Sequence, residues 1–143
     1  MTVIAIKDGV LACDSGVFAG GCYAGSIAKA ALTPGGGVVA GAGEAGAVAA
    51  LLAAALRGEV VDKVAEGTWC LRLEPDGTVL ALDGPHEGWF RFDAPFAALG
   101  SGANVALGAM AAGASAERAV EIACEWAEGC RGPVRIFKAG ERP

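Results

Sequence analysis

The order of patterns in this chain predicts an α+β fold, layered as a sandwich. Three observations lead there. Short stretches with period-two alternation flank Asp-Gly and glycine-rich turns, and three alanine-rich stretches carry helical spacing. The two kinds then follow one another as strands, one helix, strands, two helices and a last strand. Hairpins and helix pairs stack most simply in layers, and 143 residues read as a single domain over 1–143.

Residues 2–7 and 10–13 form a hairpin across Asp8-Gly9. The glycine-rich stretch 16–25 carries short β-like pieces at Val17-Phe18 and Cys22-Tyr23, and residues 27–33 read as extended. A turn at 34–37 leads into a short buried strand, Val38-Val39-Ala40. Residues 45–57 predict a helix stopped by Gly58, with Leu51, Leu52 and Leu56 sharing a face. Residues 69–73 and 78–82 alternate around Pro75-Asp76-Gly77, and 88–92 and 96–99 supply two more short strands. A second helix is expected over 103–112, broken by Gly113. A third opens at Ser115, a residue suited to cap it, with Ala119, Ile122, Ala123 and Trp126 at helical spacing. Residues 133–137 form the last strand, and 138–143 read as a loose tail.

The composition excludes several classes. A net charge of -5 without a basic stripe argues against nucleic-acid binding. The amino terminus lacks the pattern of a secretory signal, and no apolar run is long enough to span a bilayer, so a soluble, cytoplasmic protein is expected. Five cysteines without a C-x-x-C pair, beside a single histidine, predict neither a metal site nor a disulfide framework, and no cofactor is expected. Only 19% of residues are charged, a low share that predicts a surface partly covered by neighbouring subunits.

Thr2 directly follows Met1, and its small side chain favours removal of the initiator. Removal leaves one residue with both a hydroxyl nucleophile and a free α-amine. That amine, with an ordinary pKa of about 8, is a general base that needs no histidine. Asp14 closes the second strand of the hairpin beside Thr2, and Lys29 on the next extended piece can reach the same place, where an ammonium favours the deprotonated nucleophile. Taken alone, the two also fit a turn aspartate and a surface lysine. Ser101, within Gly100-Ser101-Gly102, can complete a proton relay, although the same triplet also fits a plain helix cap. Gly41-Ala42-Gly43-Glu44-Ala45-Gly46 matches the dinucleotide fingerprint, with Asp62 or Glu66 at ribose distance. Antiparallel hairpins follow it where that fold needs parallel crossovers. An exposed backbone N–H at the helix start, able to hold an oxyanion, suits these glycines better.

Together these segments resemble proteasome β-subunits and the bacterial ATP-dependent peptidase HslV, members of the N-terminal nucleophile (Ntn) hydrolases. The resemblance is carried by Thr2-Val3-Ile4-Ala5, Ala12-Cys13-Asp14-Ser15, Ala28-Lys29-Ala30, Val39-Ala40-Gly41-Ala42-Gly43 and Ala98-Leu99-Gly100-Ser101-Gly102. It implies a four-layer αββα sandwich of antiparallel sheets and a threonine endopeptidase. Thr2 would be the nucleophile, Asp14 and Lys29 would tune it, Ser101 would assist, and the backbone of Gly43 and Glu44 would form the oxyanion hole. It further implies a homo-oligomeric ring, peptide or unfolded-protein substrates, and an ATPase unfoldase as a candidate partner. The chain most resembles small proteasome-like proteins of bacterial and phage genomes.

The sequence departs from the family pattern in four ways. The chain is short, Lys29 stands one residue off the usual spacing, and Glu44 replaces a glycine, which would narrow the pocket. Cys130-Arg131-Gly132 occupies the region of a supporting aspartate. Cys22, Ala31 and Ala42 are small enough to leave room for a large apolar substrate side chain. Two alternatives stand beside the peptidase: a catalytically silent ring or scaffold component, and a small-molecule amidase of the same fold.

Overall fold

The computed structural model describes residues Met1–Pro143, which form an α+β structure with three helices and three antiparallel sheets. The first sheet has four strands. β1 (Ile4–Lys7) pairs with β2 (Val10–Cys13) through the Asp8-Gly9 turn, and both turn residues adopt positive φ. β10 (Phe96–Leu99) flanks β1, and β11 (Arg135–Lys138) flanks β2, giving the order β10-β1-β2-β11. β3 (Gly16–Ala19) and β4 (Cys22–Ser26) form a separate two-stranded hairpin.

The third sheet runs in the order β5-β6-β7-β8-β9: β5 (Ala30–Leu32), β6 (Val38–Ala42), β7 (Trp69–Leu73), β8 (Val79–Asp83) and β9 (Phe90–Arg91). The three helices are α1 (Ala45–Leu56), α2 (Ala103–Ala111) and α3 (Ala116–Trp126).

Period-two alternation places the core. Ile4, Ile6, Leu11 and Cys13 point to one side of the first sheet and meet Val38, Ala40, Leu71 and Leu73 of the third. The intervening residues Val3, Ala5 and Ala12 point the other way and pack against Met110, Val120 and Ala123 of α2 and α3. On the outer side of the third sheet, Val39 and Cys70 pack against Leu51 and Ala55 of α1. Each large aliphatic chain so buried contributes about 1.5–3 kcal/mol. Between the two sheets β1 faces β6 and β10 faces β7. No helix is long and apolar enough to cross a membrane.

Three sequence expectations need correction. In α3 the buried stripe is Ala116, Ala119, Val120 and Ala123, while Trp126 is 78% exposed. At about 100° per residue, Ile122 and Trp126 fall on the flank of that stripe. In α1, Leu56 is exposed and Val48 joins Leu51 and Leu52 inside, because at about 100° per residue Leu56 falls beyond the edge of the stripe formed by Val48, Leu51, Leu52 and Ala55. Residues 138–140 are not a loose tail. Lys138 still pairs in β11, the Ala139 N–H donates to the Gly9 carbonyl at 2.8 Å, and the Gly140 N–H donates to Gly36 at 2.8 Å.

Candidate active site

Thr2 precedes β1 and is held on both sides. Its N–H donates to Ser101 Oγ at 3.1 Å, and its carbonyl accepts from the Gly102 N–H at 3.1 Å. The corner after β10 can approach so closely because Gly100, at φ +96°, has no side chain. A Cβ there would run into the Thr2 carbonyl oxygen. From the other side, Val3 and Asp14 exchange two bonds. The Val3 N–H donates to Asp14 Oδ1 at 3.0 Å, and the Asp14 N–H donates to the Val3 carbonyl at 3.1 Å.

Asp14 is fully buried and Lys29 nearly so. Lys29 Nζ donates to both carboxylate oxygens at 3.0 Å, and the Arg131 N–H adds a further bond to Oδ2 at 3.2 Å. A carboxylate out of water needs such a set of donors, and the ammonium needs such an acceptor. The remaining reach of Nζ goes to the Met1 carbonyl at 3.0 Å, which belongs to the peptide bond joining Met1 to Thr2. Lys29 stands just ahead of β5, where its own carbonyl accepts from the Gly41 N–H at 3.2 Å. The one-residue offset in its sequence position therefore does not keep its ammonium from Asp14.

Gly43 follows β6 at φ +120°, pressed against the Gly67 carbonyl, where a Cβ has no room. Its N–H donates to no protein acceptor, and it lines the same hollows as Thr2. Glu44 does not narrow the pocket. Its carboxylate folds back as the cap of α1, accepting from the Gly46 N–H at 3.0 Å and the Ala47 N–H at 2.6 Å. The Gly41–Gly46 fingerprint thus serves a strand-to-helix turn beside an antiparallel sheet, not a dinucleotide crossover.

Two hollows meet at Thr2, Ala42 and Gly43. The larger, about 650 Å³, runs from Lys29 along α1 past Val48 and Leu52 to Ile27 and Leu56. The smaller, about 310 Å³, is bounded by Ser101, Leu99 and Trp69. Of the three small residues expected to leave room for an apolar side chain, only Ala42 lines the larger hollow. Ala31 is buried under α1, and Cys22 sits exposed on β4.

Cys130 is the contributor that sequence reasoning missed. Its buried Sγ lies 3.9 Å from Ser101 Oγ. Burial, and then the Asp14 carboxylate, push this thiol up, so it stays protonated near neutral pH; the hydrogen bond with Ser101 opposes that only in part. The available signal was its place between Gly129 and Gly132, where the chain must turn sharply enough to bring the Arg131 N–H to Asp14.

No family model and no curated protein matches this chain. Solved structures do. Thiobacillus denitrificans BPH in complex with epoxomicin is similar over 98% of this chain and 99% of that one, at a TM-score of 0.68 and 21% identity. A second structure, of Thiobacillus denitrificans BPH, matches over 96% of this chain and 97% of that one, with a TM-score of 0.70 and 22% identity. At that identity the likeness is one of fold, and it runs from end to end of both chains.

Proposed function

We propose that this protein is an N-terminal threonine peptidase of the proteasome type, active once Met1 has been removed. The observation that carries this reading is the bond from the Thr2 nitrogen to Ser101 Oγ at 3.1 Å, beside a buried Lys29–Asp14 pair that donates to the carbonyl of residue 1. Loss of Met1 turns that nitrogen into an amine and frees the Lys29 donor that its carbonyl occupied.

The amine takes the proton of the Thr2 hydroxyl, assisted by Ser101, as Oγ1 attacks the substrate carbonyl carbon. The Lys29 ammonium favours the developing alkoxide and is itself fixed by Asp14. The Gly43 N–H, which has no partner in the protein, holds the oxyanion. The ammonium at Thr2 then returns its proton to the leaving amine, and an ester remains on Oγ1. Water, deprotonated by the same amine, hydrolyses the ester and restores the hydroxyl.

A protein of the same fold was solved in complex with epoxomicin, a proteasome inhibitor, and this supports the reading. On our reading the layers of this chain take the αββα arrangement of the Ntn hydrolases, and the chain assembles into a ring that admits unfolded protein. Intact mass spectrometry of the processed protein, before and after epoxomicin, tests it. A mass lacking methionine that gains one inhibitor on the Thr2 peptide is expected, with no gain in Thr2→Ala. Retained Met1 in the native host, or an adduct that survives Thr2→Ala, would overturn it.

A further inference from the structure

We infer that the inner face of β8 and β9 is a second peptide subsite, taking an aromatic or large aliphatic side chain from the portion of the substrate that leaves. This rests on the peptidase reading above. β10 is the edge of its sheet and faces β7, so β8 and β9 run on past it. Phe90 pairs with Ala81, and the Phe92 N–H donates to Val79, which sets both rings on the side that faces the first sheet. Trp69, Phe90 and Phe92 are 47%, 51% and 40% exposed.

These rings border a groove of about 180 Å³, in which Asp83 is the one charged residue. That is below the roughly 300 Å³ at which small-ligand pockets begin. It suits one large side chain, not a separate small molecule. The groove also adjoins the candidate site. Trp69 and Leu99 line both it and the hollow that holds Thr2 and Ser101.

Chemistry sets the direction of the substrate. The group that protonates the leaving amine must face it, and that group is the Thr2 nitrogen, which points to Ser101. The leaving amine therefore lies on the Ser101 side. The residues that follow it cross Trp69 and Leu99 toward Phe90 and Phe92. Asp83 disfavours an acidic side chain there.

The test uses processed full-length protein and two kinds of substrate. One is an acyl peptide carrying only a fluorogenic amine beyond the cleaved bond. The others are internally quenched peptides with the same acyl half and Gly, Phe or Asp scanned through the positions beyond it. At one position kcat/KM for Phe should exceed that for Gly by at least about tenfold, with Asp below both. Phe90→Ser with Phe92→Ser should bring the Phe:Gly ratio close to one, while Trp126→Ser on α3 should retain it.

Because the double variant can unfold, a second measurement reads the wild type directly. A product peptide bearing Phe should shift tryptophan emission in the wild type and not in Trp69→Phe. Cleavage of the fluorogenic substrate with no Phe preference at any position, or no emission shift, overturns this inference and leaves the peptidase reading intact. Failure to cleave any substrate, with no adduct at Thr2, overturns the peptidase reading first. A change of assembly size in the double variant with its Phe preference retained would make this face a contact between copies and sink the proposal.

Discussion

The Thr2 N–H donates to Ser101 Oγ at 3.1 Å, across 99 positions of sequence. Both partners are fixed by neighbours. Thr2 is tied through its carbonyl to Gly102, and Ser101 rests against Cys130. As the base proposed above, the Thr2 nitrogen held this way would lose little orientational entropy when it acts.

Ser101→Ala should therefore lower kcat by up to about 10²-fold, the lower end of what a proton-transfer partner contributes, with KM little moved. Steady-state kinetics on a fluorogenic peptide, with the pH profile of kcat, would check this. A fall confined to KM would count against a relay role.

Asp14→Ala should destabilise the fold by about 3–5 kcal/mol, because it strands the Lys29 ammonium in a buried site and deprives two backbone N–H groups of their acceptor. Lys29→Met should also cost stability, and Asp14→Ala with Lys29→Met should cost less than the two single changes summed. Urea unfolding of the three variants measures both effects.

Gly100→Ala combines a positive φ with a Cβ directed at the Thr2 carbonyl. The backbone strain alone is worth more than about 1 kcal/mol, and relief requires the Thr2–Ser101 corner to open. The expected outcome is a lower melting temperature together with loss of epoxomicin labelling at Thr2, followed by calorimetry and mass spectrometry.

Stability should decline in alkali. Burial pushes the Cys13 and Cys70 thiols up from 9.0 to about 12, with the Asp14 carboxylate adding to the shift at Cys13. Between these values the unfolded chain releases protons that the folded chain keeps. The contribution of each thiol is intact below pH 9 and is lost as pH rises toward 12, at up to about 1.4 kcal/mol per pH unit. Urea titrations at pH 8 and pH 10.5 measure the difference, and Cys13→Ala should flatten it.

Much of the framework was legible in the chain. The Asp8-Gly9 turn fixed the first hairpin and its register, so Asp14 had to end beside the start of β1. The turn around Asp76-Gly77 did the same for β7 and β8. Where the reading failed, the deciding contact was distant. Trp126 has helical spacing with Ala119 and Ala123, but only the placement of α3 on β1 and β2 decides which part of its circumference is covered. Residues 138–140 look like an unattached end until Gly9 and Gly36 are brought alongside.

The candidate site divides along the same line. By itself the sequence determined the hydroxyl at residue 2, the period-two strands and the glycine corners, since these follow from side-chain chemistry and from backbone conformations only glycine adopts readily. The tertiary structure alone decided that Cys130 lies against Ser101 and that β8 and β9 outrun β10. Those are meetings between segments far apart in the chain, and sequence periodicity fixes only which way a side chain points, not what stands opposite it.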